Sequence, residues 1–455
     1  MAASGRHVRT AHVSLASRVG RLVLFNALTL WSPITARAQQ PVTLATLLRD
    51  ADSASPALRA ARARLAAARA RIEPSATRPD PTLQAGFLNL PITRPNLRDD
   101  EMTMSMIGIS QSFPAAGRLS QRRRVATADA ESAAAEYAST RLSVHAAIEG
   151  LYFELLFVDA SRPLVEQQRD ALSGIVRATD ARYAAGEAPQ HELLTARIAA
   201  QRIAESALIV REQQRTLTAR LNAHLNRDDS VSLTLAATEI VSRVADPAVT
   251  NARYADTTLG SRVADSPLLS LDSLQRLAAT RSPVLMSQKA MIRAQAARVQ
   301  LAQAAGAPDI DVSLQYGNRL GRRDMMTAMV AIPLHVQRAR NLTPQRIAAQ
   351  ADLDALTAEH DALQAQLRAD VTTLTSDAER ARAQTALYAQ SILPQARAAV
   401  ASALTSYQAS RTELATVLSA QSAVLTYEMS LLRSRIDVAI ALSRLRQTVG
   451  AEVLR

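Results

Sequence analysis

The chain has 455 residues, no cysteine, 3% aromatic residues and a formal charge of +12. No disulfide framework, thiol chemistry or lipidated N-terminal cysteine is possible, and so few aromatics do not suit one large compact core. The basic excess is scattered arginine among acids, with a single lysine at Lys289, which argues against nucleic acid as a partner.

The first 38 residues read as an export signal. Arg6, Arg9, Arg18 and Arg21 precede any acid, Leu22 to Trp31 is a short apolar run, and Ala36-Arg37-Ala38 fits a cleavage site. The run is too short to span a bilayer as a helix. Removing it deletes five arginines and no acid, so the formal charge falls from +12 to +7.

Beyond the signal, one unit of about 220 residues occurs twice. Thr43-Leu44 through Ser55-Pro56-Ala57-Leu58 returns as Ser270-Leu271 through Ser282-Pro283-Val284-Leu285. Pro79-Asp80 returns as Pro308-Asp309, Ser112-Phe-Pro114 as Ala331-Ile-Pro333, and Tyr183 with Leu193-Leu194 as Tyr407 with Val417-Leu418, always in the same order. The division expected is a signal over 1–38, a first repeat over 39–227, a linking segment over 228–268 rich in Asp, Ser and Thr, and a second repeat over 269–450.

Each repeat reads as short helices, two strands, a long helix, a reverse turn and a returning helix. A helix begins near Thr43, and another runs from Pro56 to about Ile72, where Pro74, Pro79 and Pro81 break the pattern. Thr82–Phe87 and Met102–Phe113 alternate as strands around a loop over 89–101; Ile310–Tyr316 and Met325–Leu334 repeat them around a loop over 317–324. Strands of this length suit a tilted membrane crossing. Four cannot close a barrel, and lipid does not tolerate an open sheet edge, so membrane-embedded strands require oligomerisation.

From about Ala115 the sequence is rich in helix formers up to a hairpin tip at 184–189. Gly186 suits a left-handed helix end and Pro189 the first turn of the next helix. A helix of this extent is roughly 105 Å long, far more than a globular domain needs. Pro163 and Pro394 fall inside helical stretches and are expected to kink or break them.

These features together resemble the trimeric outer-membrane efflux channels of the TolC type. The resemblance rests on Ser55-Pro-Ala-Leu58, Ser110-Gln-Ser-Phe-Pro-Ala-Ala-Gly-Arg118, Arg182-Tyr-Ala-Ala-Gly186 with Glu192-Leu-Leu-Thr-Ala196, and Ser406-Tyr-Gln-Ala-Ser410 with Val417-Leu-Ser-Ala420. It covers about residues 41–450. It implies a mainly α fold with a small β part: a long α-helical coiled-coil barrel, and four transmembrane strands per protomer joining in a homotrimer as one twelve-strand barrel. The implied location is the cell outer membrane, in contact with lipid, with the helices in the periplasm. The implied partners are a periplasmic adaptor and an inner-membrane pump of the RND or ABC type. The linking segment takes the place of the family's irregular belt around the tunnel.

The family closes its periplasmic entrance through contacts between the two hairpin tips, and the carry-over is partial. Glu192 falls on the family's tip carboxylate and Tyr407 on its tyrosine, with Tyr183 and Gly186 marking the first tip. The expected arginine position holds Thr412, with Arg411 one place early, and two pore-ring aspartates correspond to Thr416 and Ser419. The acidic constriction is therefore expected to be absent. Read without the family, Glu192 and Arg411 are solvated helix-end charges of small energetic weight.

No enzyme chemistry is indicated. The histidines His145, His191, His224, His335 and His360 have no metal-ligand spacing, and no phosphate-loop, nucleophile-elbow or dinucleotide motif occurs, so no cofactor is expected. Six of the ten methionines (Met102, Met104, Met106, Met325, Met326 and Met329) fall in predicted strands. They read as packing against lipid or a neighbouring strand, with soft-metal handling as the alternative. The stretch Phe113 to Leu119 resembles the heavy-metal-efflux branch of the family more than drug exporters. The reading is a passive exit duct for small molecules or metal ions. Its alternatives are a duct for type I protein or peptide secretion and a soluble periplasmic coiled-coil scaffold; an exported enzyme would need a catalytic cluster the sequence does not show.

Overall fold

The computed structural model describes residues 42–90, 92, 102–235, 267–334 and 336–454. The expected export signal over 1–38, most of the expected linking segment, most of the loop over 89–101 and His335 lie outside the described residues.

The first repeat contains α1 (Leu44–Ala54), α2 (Pro56–Ala70), α3 (Ile72–Ala76), β1 (Thr82–Leu88), β2 (Met104–Phe113), α4 (Arg118–Ala184) and α5 (Gln190–His224). The second contains α6 (Leu271–Arg281), α7 (Pro283–Ala304), β3 (Ile310–Asn318), β4 (Met325–Ala331), α8 (Arg338–Leu387), a π turn (Tyr388–Ile392), α9 (Leu393–Gln408) and α10 (Leu414–Val449). The duplication extends to caps. Thr43 and Ser270 each accept the backbone N–H three residues on at 3.3 Å, satisfying a donor that a helix start leaves free. Ser55 and Ser282 share the same backbone angles, φ −57° and ψ 124°, each ahead of a proline in the first helical turn. Asn226 and Gly450 both take positive φ where the returning helices end.

Each repeat also closes on itself. The N–H of Val42 reaches the Thr234 carbonyl at 2.9 Å, and that of Leu269 reaches Val453 at 3.1 Å. Two matching cores lie under these clasps. Leu47, Leu58, Ile148, Leu155, Leu221 and Leu225 form one; Leu274, Leu285, Val371, Leu442, Leu445 and Val453 form the other. Each buried leucine contributes about 1.5–3 kcal/mol. Elsewhere the long helices meet through buried alanines such as Ala160, Ala196, Ala378 and Ala441, which allow close approach.

The 67 residues of α4 are one unbroken helix, about 100 Å long, with Pro163 inside it. The second long helix differs. Pro394, in the first turn of α9, lacks an N–H and crowds the preceding turn, and the chain widens into the five-residue π turn just before it. Among the described residues no helix is long and apolar enough to cross a membrane.

The strands form one antiparallel sheet in the order β1-β2-β3-β4. Three sequence expectations are corrected. Met102 lies in a turn before β2, because pairing begins at Met104. β4 ends at Ala331, where pairing with Asp311 ends and Pro333 follows, so Ile332 and Leu334 are outside it. Helix continues past Ile72 as α3 because Pro74 sits in its first turn, where a missing N–H costs nothing.

Candidate functional site

The sheet sorts its side chains by register, since directly paired residues share a face. Leu83, Ile109, Leu314 and Ala328 form one row; Ala85, Ile107, Tyr316 and Met326 form the next. Phe87, Val312 and Val330 extend this face, and its large side chains are exposed, up to 74% for Leu83 and 73% for Met326. The opposite face carries Gln84, Gly108, Gln315 and Thr327 in one row and Thr82, Ser110, Ser313 and Met329 in another. One face suits lipid and the other suits water. Among the described residues no strand pairs with the outer edge of β1 or of β4.

At the sheet's helical end Arg118 organises the junction. Its guanidinium pairs with Asp309 at 2.6 Å and donates to the carbonyls of Ala305 and Ala307, satisfying the end of α7. Asp309 also accepts the Ala115 N–H at 2.8 Å. One ion pair thus ties the β2-to-α4 crossing to the α7-to-β3 crossing.

Polar ties then link α4 to α10 down their length. Glu149 accepts from Ser443, Glu154 pairs with Arg433 at 2.8 Å, and Gln168 and Gln421 bond reciprocally. The hydrogen bond that Arg433 donates to Glu154 holds its guanidinium above its usual basicity, against the cost of burial. Asp159, which accepts from Gln214 at 2.8 Å, also has its pKa raised, but here by burial, which disfavours its charged form.

The two hairpin tips lie side by side. In the first, the Glu187 N–H reaches the Arg182 carbonyl at 2.8 Å and Gly186 has φ 75°, the left-handed end the sequence required. The second repeats it: the Arg411 N–H reaches the Ser406 carbonyl at 2.8 Å, with Ser410 at φ 55°. Ser410 therefore holds a backbone state that glycine adopts more cheaply.

Tyr407 is the centre of the tip. It is 4% exposed, packed with Ala196, Leu414 and Val417. Its hydroxyl donates to Glu192 at 3.1 Å and lies 3.5 Å from the Thr179 hydroxyl. Arg182 lies across it, the guanidinium carbon 4.6 Å from the ring centre. Arg182 also donates to the Ser410 hydroxyl at 3.3 Å and sits 3.9 Å from Glu187.

Of the expected tip residues, Glu192 and Tyr407 come together, while Tyr183 is half-exposed and Gly186 shapes the turn. Arg411 does not join them: its side chain is exposed and only its backbone N–H is engaged among the described residues. The cation of the tip is Arg182. Its place beside Tyr183 was visible in the sequence, but not its reach across to the other hairpin. Thr416 and Ser419 are exposed, and the Ser419 hydroxyl bonds locally to the Thr416 carbonyl at 2.9 Å. Among the described residues, no group of three or more His, Asp or Glu is arranged to hold a metal ion.

The fold is that of known outer-membrane channels. VceC from Vibrio cholerae matches with a TM-score of 0.69 at 19% identity, over 90% of this chain and 96% of that one. CusC matches at 0.72 and 14%, over 90% and 92%. The open state of the Neisseria gonorrhoeae MtrE channel matches at 0.67 and 14%, over 90% of both chains. Residues 47–227 match the family model described as outer membrane efflux protein. No curated protein matches the chain by sequence.

Proposed function

We propose that the chain is the outer-membrane exit duct of a tripartite efflux system, working as a homotrimer. The observation that carries this is the four-stranded sheet with one exposed apolar face, one polar face and two unpaired edges, standing on helices about 100 Å long. Lipid rewards the apolar face but not the free edges, so the edges must pair. β4 of one protomer beside β1 of the next closes twelve strands from three copies, with the polar faces inward. A soluble scaffold would leave the apolar face in water.

The signal over 1–38 directs export, the repeats over 39–227 and 269–450 form barrel and tunnel, and 228–268 links them. The duct is passive, carrying small molecules or metal ions once docked to an adaptor and an inner-membrane pump. The tips form its periplasmic gate, with Glu192, Tyr407 and Arg182 as the bonds that hold it closed and Tyr183, Gly186, Arg411, Thr416 and Ser419 on its surface. With Thr416 and Ser419 neutral, the mouth has no acidic ring at those positions and little preference for cations there.

Light scattering on the detergent-solubilised mature protein tests the assembly. A protein mass of three chains supports it, and a monomer or dimer refutes it.

A further inference from the structure

We propose that Met104, Met106 and Met325 form a thioether site for a soft monovalent cation, Cu(I) or Ag(I), on the polar face of the sheet. The inference rests on the exit-duct reading for its physiological meaning, because in that reading this face lines the pore. Its chemistry stands on the sheet alone.

The register gives one row of this face as Gly86, Met106, Gly317 and Met325, in that order across all four strands. Glycine and methionine alternate. Each glycine leaves open the space that a neighbouring side chain would fill. At Gly317 that space is used: the Met104 thioether lies where a Cβ would stand. Met104 is two residues from Met106 and so on the same face. Gly317 is thus a gap with Met106 paired on one side, Met325 on the other and the Met104 sulfur over it.

Packing does not account for this choice of residue. The next row of the face, Gln84, Gly108, Gln315 and Thr327, is polar or open, and the row beyond it, Thr82, Ser110, Ser313 and Met329, has methionine as its one apolar member. Leucine, isoleucine, valine and phenylalanine collect on the other face, apart from Leu88 at the strand's end. Methionine alone among the large apolar types recurs on the polar one. Met325 is also positioned: Arg319 donates to its sulfur at 3.1 Å, while the Asp324 carboxylate, held by Tyr316 and by Asn318, supplies a negative charge one residue away. A bound cation would take the sulfur lone pair that Arg319 uses, and Arg319 would turn to solvent or Asp324. A donor set of thioethers without imidazole or thiolate suits soft monovalent ions and discriminates against Zn(II) and Mg(II).

The test uses the full mature chain in detergent, with silver(I) alone as probe in chloride-free buffer, bound metal being counted after equilibrium dialysis. Wild type is expected to hold about one silver ion per protomer more than the Met104→Leu/Met106→Leu/Met325→Leu variant. A Met286→Leu/Met291→Leu variant, altered on α7, is expected to match wild type. Met106→Gln guards against misfolding of the triple variant, since glutamine already occupies Gln84 and Gln315 on this face; its silver affinity is expected to fall by about tenfold. Equal silver binding by wild type and Met106→Gln, or by wild type and a folded triple variant, overturns the site. Wild-type channel conductance, measured without silver, judges the duct separately. Absent conductance with intact silver binding would remove the duct and leave the site.

Discussion

Replacing Arg182 with alanine is expected to loosen the closed tip, whereas replacing Arg411 is not. Three contacts are lost with the Arg182 side chain. Stacking on Tyr407 at 4.6 Å, at a partly exposed place, contributes about 0.5–1 kcal/mol. The bond to Ser410 at 3.3 Å contributes about 0.5–1 kcal/mol. The exposed approach to Glu187 at 3.9 Å adds little. About 1–2 kcal/mol per protomer corresponds to roughly 5–30-fold in the open-to-closed ratio, and more if the three tips move together. Single-channel recording in planar bilayers reads this as open probability. Arg182→Lys should recover only part of the effect, because an ammonium neither stacks as a plane nor forks. An open probability raised by Arg411→Ala but unmoved by Arg182→Ala would refute the placement of the gate's cation.

Three further outcomes follow from the same geometry. Tyr407→Phe removes the donor to Glu192 at 3.1 Å while keeping the ring, so it should favour opening by about 1–2 kcal/mol in the same recordings without altering trimer mass. Ile109→Lys places a charge on the exposed apolar face and should destabilise the membrane-inserted form by about 2–4 kcal/mol, read as loss of heat-stable trimer on gels. The hydrogen bond from Arg141 at 2.7 Å, with His145 at 2.8 Å, holds the Asp52 carboxyl below the usual carboxylate range. A lowered folded-state pKa stabilises the fold above the unfolded value of about 4 and is lost as pH falls through the folded value. The α1–α4 junction should therefore weaken only below about pH 4, and Asp52→Asn should flatten that acid limb in thermal melts.

Much of the architecture could be read from local signals. Gly186 and Pro189 placed the first tip between Ala184 and Gln190, because few residues accept those backbone states. The second tip follows from the repeat, although Ser410 stands where the first tip has glycine and holds the left-handed turn under strain. Strand starts at Thr82, Ile310 and Met325 followed from alternation. Strand ends were less legible: at Met102 and Ile332 the alternation runs on, and only pairing decides. The π turn before Pro394 and the regular α-helix through Pro163 show that proline alone does not determine whether a long helix departs from α geometry. Arg182 and Arg411 differ by which side chain crosses to the other hairpin, a property of the packed pair of tips and not of either segment. The alternating Gly86-Met106-Gly317-Met325 row likewise joins residues far apart in sequence and emerges only with strand register.

Conductance of the purified mature protein in planar lipid bilayers tests the duct most directly. A water-filled route through barrel and tunnel should give discrete channel openings that become more frequent in Arg182→Ala or Tyr407→Phe. A protein that inserts as a trimer yet passes no current in wild type or either variant would contradict the duct.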